Sequence, residues 1–578
     1  MTFTPPTEEQ LFALRSSAGI AELATHERFA SASDDVVEAI VAGAGEFAAA
    51  EWAPLNRIGD TEGAKLKDGV VSLPAGFAEA YQAYVEAGWN GMNAPEASGG
   101  QGLPFALAIA AFENLGSANL AFSLLPMLTL GSIEALLHHG SAEQQALYLP
   151  RIVSGEWTGT MNLTEPQAGS DVGALRSTAT PITEGPHAGK YRIAGTKIYI
   201  TWGDHELAEN VIHLLLARTP GAPAGSKGIS LFVVPKFHVE PDGSLGARND
   251  LRAVGLEHKL GINASPTCVM SYGDHGECIG EIVGAECDGM RAMFTMMNHA
   301  RLNVGAQGVQ IAERALQQAG AYARDRVQSM RAGSPDKTPV AIIEHPDVRR
   351  MILRMRALTE GGRALLYHAA GQVDRGTLGD AQAQARTELL VPLVKAWCTD
   401  VGVEVASLGI QIHGGMGFVE ETGAAQYLRD ARIAPIYEGT NGIQAADFVT
   451  RKLGMEGGGV LFALLEAIAA EADDATALVD LCNDCSDIGH WMVDDASIDD
   501  KLAGSVPFLT MCATAVAAWQ LLRQARAASV QTSESFARGK ATISRYFLDA
   551  IVPEARGLKA SAMGGAELLY ALSSEELA

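Results

Sequence analysis

Residues 411–444, QIHGGMGFVEETGAAQYLRDARIAPIYEGTNGIQ, place one carboxylate, Glu438, in a segment that interrupts the helical pattern. Pro435 cannot continue a helix, and the glycine after Glu438 permits backbone conformations that other residues avoid. Thr440 or Asn441 can then cap a new helix. We therefore predict that Glu438 lies on a sharp loop between two helices.

The chemistry of Glu438 depends on its neighbours. A lone glutamate is most often a helix cap or one half of an ion pair. Here the apolar residues Ile436 and Tyr437 come directly before it. A carboxylate desolvated in this way has a raised pKa and can act as a base near neutral pH. Glu438 is thus a candidate general base, and Glu420 or Glu421 would be tried next.

Upstream of Glu438, a predicted helix runs into a glycine-rich turn. Its apolar residues are spaced three and four apart and form one buried stripe: Trp397, Val401, Val405, Leu408 and Ile412. The turn that follows, Gly414-Gly415-Met416-Gly417, lets a phosphate or another backbone approach closely. Alone, such a turn is usually only a helix C-cap.

A second polar stretch, residues 161–171 (MNLTEPQAGSD), precedes the first predicted strand. It offers hydroxyl and backbone N–H groups around a Pro-Gly turn, which suits a polar ring edge or a phosphate. A purely structural β-turn explains the same residues equally well.

Several of these motifs together resemble the signature of the acyl-CoA dehydrogenase family. They are QIHGGMGF, the LRD at residues 428–430 and IYEGTNGIQ, in this order and spacing. Residues 161–171 resemble the family's TEPxAGSD motif, and IYITWG at 198–203 resembles its WITNG strand. Two residues depart from that strand: Tyr199 replaces the usual Trp, which bears on how the flavin ring is covered, and Trp202 replaces Asn.

The resemblance implies a role for each of thirteen residues. The catalytic base is Glu438; FAD is bound by Leu163, Thr164, Thr201, Arg326, Gln411, Gly414, Gly415, Thr440 and Asn441; acyl-CoA is bound by Ser170, Arg301 and Gly439. Because Gln411, Gly414 and Gly415 serve the FAD of a neighbouring subunit in relatives, at least a homodimer is implied.

Two arginines lie on the helix predicted after the β region. Arg301 follows Asn298-His-Ala, which we predict to open that helix. Some relatives place the base here, but residues 298–300 contain no carboxylate, which favours Glu438. His299 is predicted to be structural or to contact substrate, and no metal site is expected. Arg326 matches the arginine that pairs with the FAD pyrophosphate, although Val-Gln-Ser replaces the Thr-Phe-Gly that usually follows it.

Composition limits the class of protein. The chain has 578 residues and a formal net charge of −25. This charge argues against general nucleic-acid binding and against adhesion to anionic membranes, although a few local arginines can still bind an anionic ligand. Seven scattered cysteines do not resemble a disulfide framework. We find no signal peptide and no apolar run long enough to cross a bilayer, so we expect a cytoplasmic protein.

The order of predicted elements is α–β–α with a further helical region. We predict a mainly α protein with a central β domain, a small barrel or sandwich. The resemblance is to the long form of the family, which adds a C-terminal helical domain. The predicted divisions are an N-terminal segment (1–33), an N-terminal α domain (34–157), a middle β domain (158–290), an α-helical bundle (291–455) and a C-terminal extension (456–578).

The resemblance implies that the chain dehydrogenates an acyl-CoA thioester to a trans-2-enoyl-CoA and passes electrons to electron-transferring flavoprotein. Two alternatives stay open. One is a broad-range fatty acyl-CoA dehydrogenase, which pocket depth would decide. The other is a DNA-associated flavoprotein of the alkylation response, which would need a basic surface.

Overall fold

The computed structural model describes residues 3–578, apart from the side chains of residues 295–299 and 531. The N-terminal part of the protein is helical. A hairpin of β1 (Lys65–Lys67) and β2 (Val70–Ser72) interrupts these helices. The helices are α1 (Thr7–Ala13), α2 (Ile20–Leu23), α3 (Asp34–Phe47), α4 (Ala53–Glu62), α5 (Phe77–Glu86), α6 (Phe105–Ala118), α7 (Leu120–His139) and α8 (Ala142–Ser154).

The start of α8 shows why the local sequence folds as it does. Ser141 and Gln144, from the local sequence Ser-Ala-Glu-Gln, form a capping box in which the two backbone nitrogens lie 3.2 and 3.0 Å from the side-chain oxygens. These bonds satisfy donors that the first turn of a helix leaves open. The helix then leads directly into the first strand of the β domain.

The β domain contains ten strands within residues 157–283. They are β3 (Trp157–Asn162), β4 (Thr178–Pro181), β5 (Tyr191–Thr201), β6 (Asn210–Ala217), β7 (Ser230–Pro235), β8 (Phe237–Val239), β9 (Leu245–Arg248), β10 (Leu251–Leu256), β11 (Thr267–Tyr272) and β12 (Ile279–Val283). Eight of them follow the order β10-β11-β5-β12-β7-β6-β3, with β4 also on β5. All pairs are antiparallel except β3 with β6.

One long-range contact closes this sheet into a barrel. Thr178 bridges to Arg218, just past β6, and the Ala179 N–H donates to the Arg218 carbonyl at 2.8 Å. Because β4 pairs with β5 on its other edge, β4, β5, β12, β7 and β6 form a ring. The predicted β domain is therefore confirmed as a small barrel with extra strands.

After the barrel the chain is helical again. The helices are α9 (Gly289–Asp325), α10 (Pro346–Thr377), α11 (Ala381–His413), α12 (Ala424–Ala431) and α13 (Asn441–Asp447). The prediction that Asn298 opens the first of them is wrong, since α9 begins at Gly289. Met290 and Met293 already pack inward there, so the helix starts more than two turns earlier. The side chain of His299 lies outside the described residues.

Helices α9 and α11 approach each other unusually closely. A Cβ on Gly308 would lie 2.0 Å from the Cys398 carbonyl oxygen, and a Cβ on Gly402 would lie 2.8 Å from Gly308 Cα. A Cβ on Gly305 would lie 2.4 Å from a methyl group of Val394. Only glycine fits at these positions, so three glycines set the distance between the two longest helices of the bundle.

The C-terminal region consists of helices α14 (Gly459–Glu471), α15 (Thr476–Asp494), α16 (Ile498–Ala503), α17 (Ser505–Gln531), α18 (Glu534–Tyr546), α19 (Val552–Arg556), α20 (Lys559–Ala562) and α21 (Ser574–Leu577). The buried Lys540 of α18 bonds to Glu9 of α1, to Glu360 of α10 at 2.9 Å and to Gln524 of α17 at 2.9 Å. One ammonium group thus joins both ends of the chain to the bundle.

We predicted that no segment is apolar enough to cross a bilayer. Judged by length and composition alone, that prediction is wrong. Helices α7 and α17 meet that test, and a bent pair, residues 441–452 with 455–471, makes a third if it is one span. In the protein, 83% of the α7 window and 78% of the α17 window are buried. Their apolar surfaces therefore face other helices of the same chain.

The close crossing of α9 and α11 makes a prediction about stability. Gly308→Ala should lower the free energy of unfolding by roughly 1–3 kcal/mol, because its Cβ overlaps a backbone carbonyl that cannot move aside. Gly320→Ala on the same helix meets only the mobile Arg324 guanidinium, at 3.6 Å, and should be neutral or stabilising by about 1 kcal/mol. Urea denaturation compares the two. Equal effects would show that the crossing is not sterically limited.

Candidate active site

A cavity of about 380 Å³ lies between the barrel and the helical bundle. Its walls come from the segment after β3, the end of β5, α9, and the loop and helix around α13. Seven of the sequence-predicted site residues line it: Leu163, Thr164, Ser170, Thr201, Arg301, Glu438 and Gly439. Leu163 and Gly439, 276 positions apart in the chain, are thus brought to one place.

Glu438 lies on a sharp loop between α12 and α13, as predicted. Its φ is +56°, in the left-handed region that a non-glycine residue rarely adopts. The loop is held on both sides: the Asn441 N–H donates to the Pro435 carbonyl at 3.0 Å, and Thr440 caps α13 by accepting from the Ile443 N–H at 3.2 Å. Strain of this kind persists only where the surroundings enforce it.

The electrostatics of Glu438 combine two opposing effects. Burial raises the pKa of Glu438 above its ordinary value, while the charges of Arg301 and then Lys395 oppose the rise. Arg301 is itself buried, and its Nε has no hydrogen-bond partner among the residues that the structure describes. The cavity therefore holds a carboxylate with a raised pKa beside a guanidinium with free donor capacity.

Lys395 of α11 is a residue that the sequence analysis missed. It is fully buried, and its Nζ donates to Asn441 Oδ1 at 2.8 Å. Burial lowers the pKa of Lys395 to about 8, although Glu438 and Asp400 favour the charged form. The signal was a single lysine inside the apolar run 389–397, LLVPLVKAW, where a charge is otherwise unexpected.

Asn441 was predicted to contact a cofactor, but its side chain is already engaged within the protein. Its oxygen accepts from Lys395, and its Nδ2 donates to the Ala396 carbonyl at 3.0 Å and to Asp400 at 2.8 Å. Neither Asn441 nor Thr440 lines the cavity. Within this chain the two residues hold the loop that carries Glu438, and their contact with a cofactor stays a prediction.

The opposite wall of the cavity is built on the barrel. Thr164 follows β3, and its carbonyl accepts the Ile198 N–H at 2.9 Å. Thr201 ends β5, and its carbonyl accepts from the Thr160 hydroxyl at 2.7 Å. Glu165 and Lys197 form a buried ion pair, 2.8 Å, below this wall. The 161–171 stretch is therefore a structural turn and also a wall of the cavity, and its binding of a ring edge or a phosphate stays a prediction.

The two residues that depart from the family's strand motif have different environments. Tyr199 lines the cavity with 60% of its surface exposed and a φ of +60°. Trp202 is completely buried and stacks on Phe122 of α7 with ring centroids 6.1 Å apart. Trp202 therefore packs the barrel against the N-terminal helices and does not face the cavity.

Three further lining residues were not found from the sequence. Asp447 and Arg451 form an ion pair at 2.5 Å, and the Arg451 guanidinium lies 5.6 Å from the ring centroid of Phe294. Asp447 closes α13 and Arg451 lies in the π-helical turn that continues it. Because a π-helical turn shifts the side-chain register by one residue, helical spacing alone did not place Arg451 in the site.

Four predicted residues lie elsewhere: Arg326, Gln411, Gly414 and Gly415 are exposed and line no part of this cavity. Arg326 follows the last residue of α9, about 37 Å from Arg301 at 1.5 Å per residue. The C-terminal end of α11 lies beside the C-terminal end of α9, where the His413 ring stacks on the Tyr322 ring with centroids 4.4 Å apart. Within one chain these four residues cannot contact a group beside Glu438.

The chain matches four family models in succession. They are described as "Acyl-CoA dehydrogenase, N-terminal domain" over residues 34–156, "Acyl-CoA dehydrogenase, middle domain" over 160–274, "Acyl-CoA dehydrogenase, C-terminal domain" over 287–453, and "Acetyl-CoA dehydrogenase C-terminal like" over 461–573.

Individual relatives match over nearly the whole chain. A 3-methylmercaptopropionyl-CoA dehydrogenase of Ruegeria pomeroyi is 46% identical and covers 92% of each chain. A broad-specificity linear acyl-CoA dehydrogenase of Mycobacterium tuberculosis is 32% identical, covering 94% of this chain and 95% of its own. A solved acyl-CoA dehydrogenase of Bacillus anthracis, complexed with FAD, shares the fold with a TM-score of 0.75 at 20% identity, covering 94% of this chain and 89% of that chain.

The buried Lys395–Asn441 bond makes a prediction. Asn441→Ala should lower the free energy of unfolding by roughly 1–3 kcal/mol, because it leaves a buried ammonium group without its acceptor. Thr450→Ala is a matched control, since its hydroxyl bonds only within its own helical turn, at 2.7 Å to the Ala446 carbonyl, and faces solvent. Denaturation midpoints compare them. A loss no larger than that of the control would remove Asn441 from its structural role.

Proposed function

The chain belongs to the acyl-CoA dehydrogenase family, and from that premise we propose that it oxidises the α–β bond of an acyl-CoA thioester with Glu438 as the base. The chain is an oxidoreductase that acts on acyl-CoA and uses FAD. The observation that carries the proposal is the position of half-buried Glu438 in the wall of the cavity between barrel and bundle, where its pKa is raised.

The lining of the cavity supports the binding of a flavin ring there. One wall offers the Thr164 and Thr201 side chains and the backbone at Leu163, and apolar side chains such as Met161 and Phe294 complete the lining. When bound, FAD supplies the acceptor for the hydride that leaves the β-carbon. Thr164, Thr201 and the Leu163 backbone would hold its ring.

Glu438 would remove the pro-R α-proton of the substrate to give a trans-2-enoyl-CoA. That proton becomes acidic only when the thioester carbonyl is polarised. The Glu438 N–H bonds to no acceptor among the described residues, so it is available to the carbonyl oxygen. Arg301 lies close enough to Glu438 to affect its pKa, and Ser170 would bind the CoA part.

The substrate that we propose is 3-(methylthio)propanoyl-CoA, with 3-(methylthio)acryloyl-CoA as its product. Support comes from the Ruegeria relative at 46% identity. A broad range of linear acyl-CoA is the alternative, supported by the more distant Mycobacterium relative at 32%. A DNA-associated role would need a basic surface, and the net charge of −25 argues against it.

The assembly and the electron acceptor are also proposals. We propose a homodimer in which Arg326, Gln411, Gly414 and Gly415 of one copy complete the FAD site of another, because these exposed residues cannot reach their own cavity. Electrons would pass to electron-transferring flavoprotein, as the family resemblance implies. A cytoplasmic location fits the seven free cysteines.

Replacing the base tests the mechanism. Glu438→Gln should fold, bind FAD and appear yellow, but should lose acyl-CoA dehydrogenation by several orders of magnitude because an amide cannot accept the proton. Glu421→Gln, in the same stretch but exposed, should keep its activity. Turnover with an artificial electron acceptor measures both. Near-normal activity of Glu438→Gln would move the base to another residue.

The pKa of Glu438 predicts a pH dependence. The value of kcat/KM should rise with pH as Glu438 ionises, above the ordinary pKa of 4.5. Lys395→Met removes a cation that stabilises the carboxylate, so the acid limb should move to higher pH. Lys337→Met, on an exposed loop, should leave the limb in place. If the acid limb of the kcat/KM profile does not move in Lys395→Met, the group that titrates is not Glu438.

The substrate can be tested with a panel of thioesters. We expect the highest kcat/KM for 3-(methylthio)propanoyl-CoA, followed by saturated chains of similar length. The panel extends to long fatty acyl-CoA and uses an artificial electron acceptor. Comparable rates for long chains would favour the broad-range alternative.

A further inference from the structure

One face of α13 brings a second carboxylate into the helical wall of the cavity. The residues of this stretch that line the cavity recur at every fourth position: Gly439, Ile443, Asp447 and Arg451. Residues four apart lie on the same side of a helix, so Asp447 belongs to the same wall as Glu438. The side chain of Asp447 is 12% exposed, and its Oδ1 lies 2.5 Å from Arg451 Nε. The helical wall therefore holds two carboxylates, of which only Glu438 acts as the base.

Asp447 and Arg301 carry complementary groups that lack a partner. The Nε of Arg301 and the Oδ2 of Asp447 are both buried, and neither has a hydrogen-bond partner among the residues that the structure describes. Burial lowers the pKa of Arg301, and the charges of Asp447 and then Glu438 oppose that fall. The guanidinium of Arg301 is thus attracted by two carboxylates, and the attraction of Asp447 is the stronger.

Glu438 feels Asp447 only through other groups. Burial raises the pKa of Glu438, and the charges of Arg301 and then Lys395 oppose the rise, whereas neither Asp447 nor any hydrogen bond contributes. The charged and titratable groups around Glu438 are Arg301 of α9, Lys395 of α11, Tyr437 of its own loop, Asp447 and Arg451 of α13 and its π-helical turn, and Asp171 and Tyr199 of the barrel. Arg301 is the one cation among them on which both carboxylates act.

We propose that Asp447 is a positioning residue that draws the guanidinium of Arg301 away from Glu438 and so leaves the base free to accept a proton. The inference rests on the proposed function. Of the two carboxylates that attract Arg301, only Glu438 would remain if Asp447 were neutral. A guanidinium that pairs with a carboxylate stabilises its charged form and lowers its basicity. Glu438 would then accept the α-proton less readily.

The test is the pH profile of kcat/KM for the FAD-loaded enzyme with 3-(methylthio)propanoyl-CoA. Asp447→Asn keeps the size of the side chain and removes its charge, so the acid limb should move to lower pH by about one pH unit. The plateau of kcat/KM should fall severalfold, because the base is weaker. Asp447→Glu restores a carboxylate and should return the limb toward its wild-type position. Asp447→Ser decides the question if Asp447→Asn does not fold.

Arg451→Met is the matched control, because it breaks the same ion pair but keeps the carboxylate of Asp447. The acid limb should not move to lower pH in this variant. In the Arg301→Met background, Asp447→Asn should cause no further movement of the limb, because the cation through which Asp447 acts is gone. If Arg301→Met does not fold, the comparison with Arg451→Met decides.

The proposed role of Asp447 is overturned if the acid limb stays in place when Asp447 becomes neutral. It is also overturned if Arg451→Met moves the limb as far to lower pH as Asp447→Asn does, or if Asp447→Asn moves the limb equally with and without Arg301. Near-normal activity of Glu438→Gln, or a wild type that oxidises no acyl-CoA, would instead overturn the proposed function.

Discussion

The close crossing of α9 and α11 is the constraint on which the site depends. Gly308 lies against the Cys398 carbonyl, and no residue with a Cβ fits there. Arg301 is two turns before this contact on α9, and Lys395 is one turn before Cys398 on α11. Because the helices touch backbone to backbone, both cations are carried to the loop of Glu438. A wider crossing would leave the carboxylate without them.

Glu438 illustrates how opposing effects are balanced in a cavity. Burial disfavours the charged form of a carboxylate, and it raises the pKa of Glu438 above its ordinary value. The charges of Arg301 and then Lys395 oppose that rise, so the basicity of Glu438 reflects both effects. The left-handed backbone at Glu438 is kept by the cap of α13 and by the Lys395–Asn441 bond. Lys395 therefore contributes both to the position of Glu438 and to its basicity.

The C-terminal helices pack against α10, α11 and α13 of the bundle. Lys540 bonds to Glu9 and Glu360, and an edge-to-face pair of rings, Phe12 with Phe536 at 5.2 Å between centroids, lies next to it. A buried ammonium with two carboxylates is costly to expose on either side, so the first helix and α18 are held together. The N-terminal lead-in, which shows no chemistry in the sequence, has this structural task.

The sequence by itself determined the local features of this protein: the loop of Glu438 between two helices, the capping box at Ser141 and the strands of the middle domain. Each follows from residues a few positions apart, where sequence patterns are informative. Only the tertiary structure closed the barrel through Arg218, brought Lys395 to the base, buried Trp202 against α7 and placed Arg326 at the far end of α9. These outcomes depend on packing between residues distant in the chain, and no local pattern records which surfaces meet.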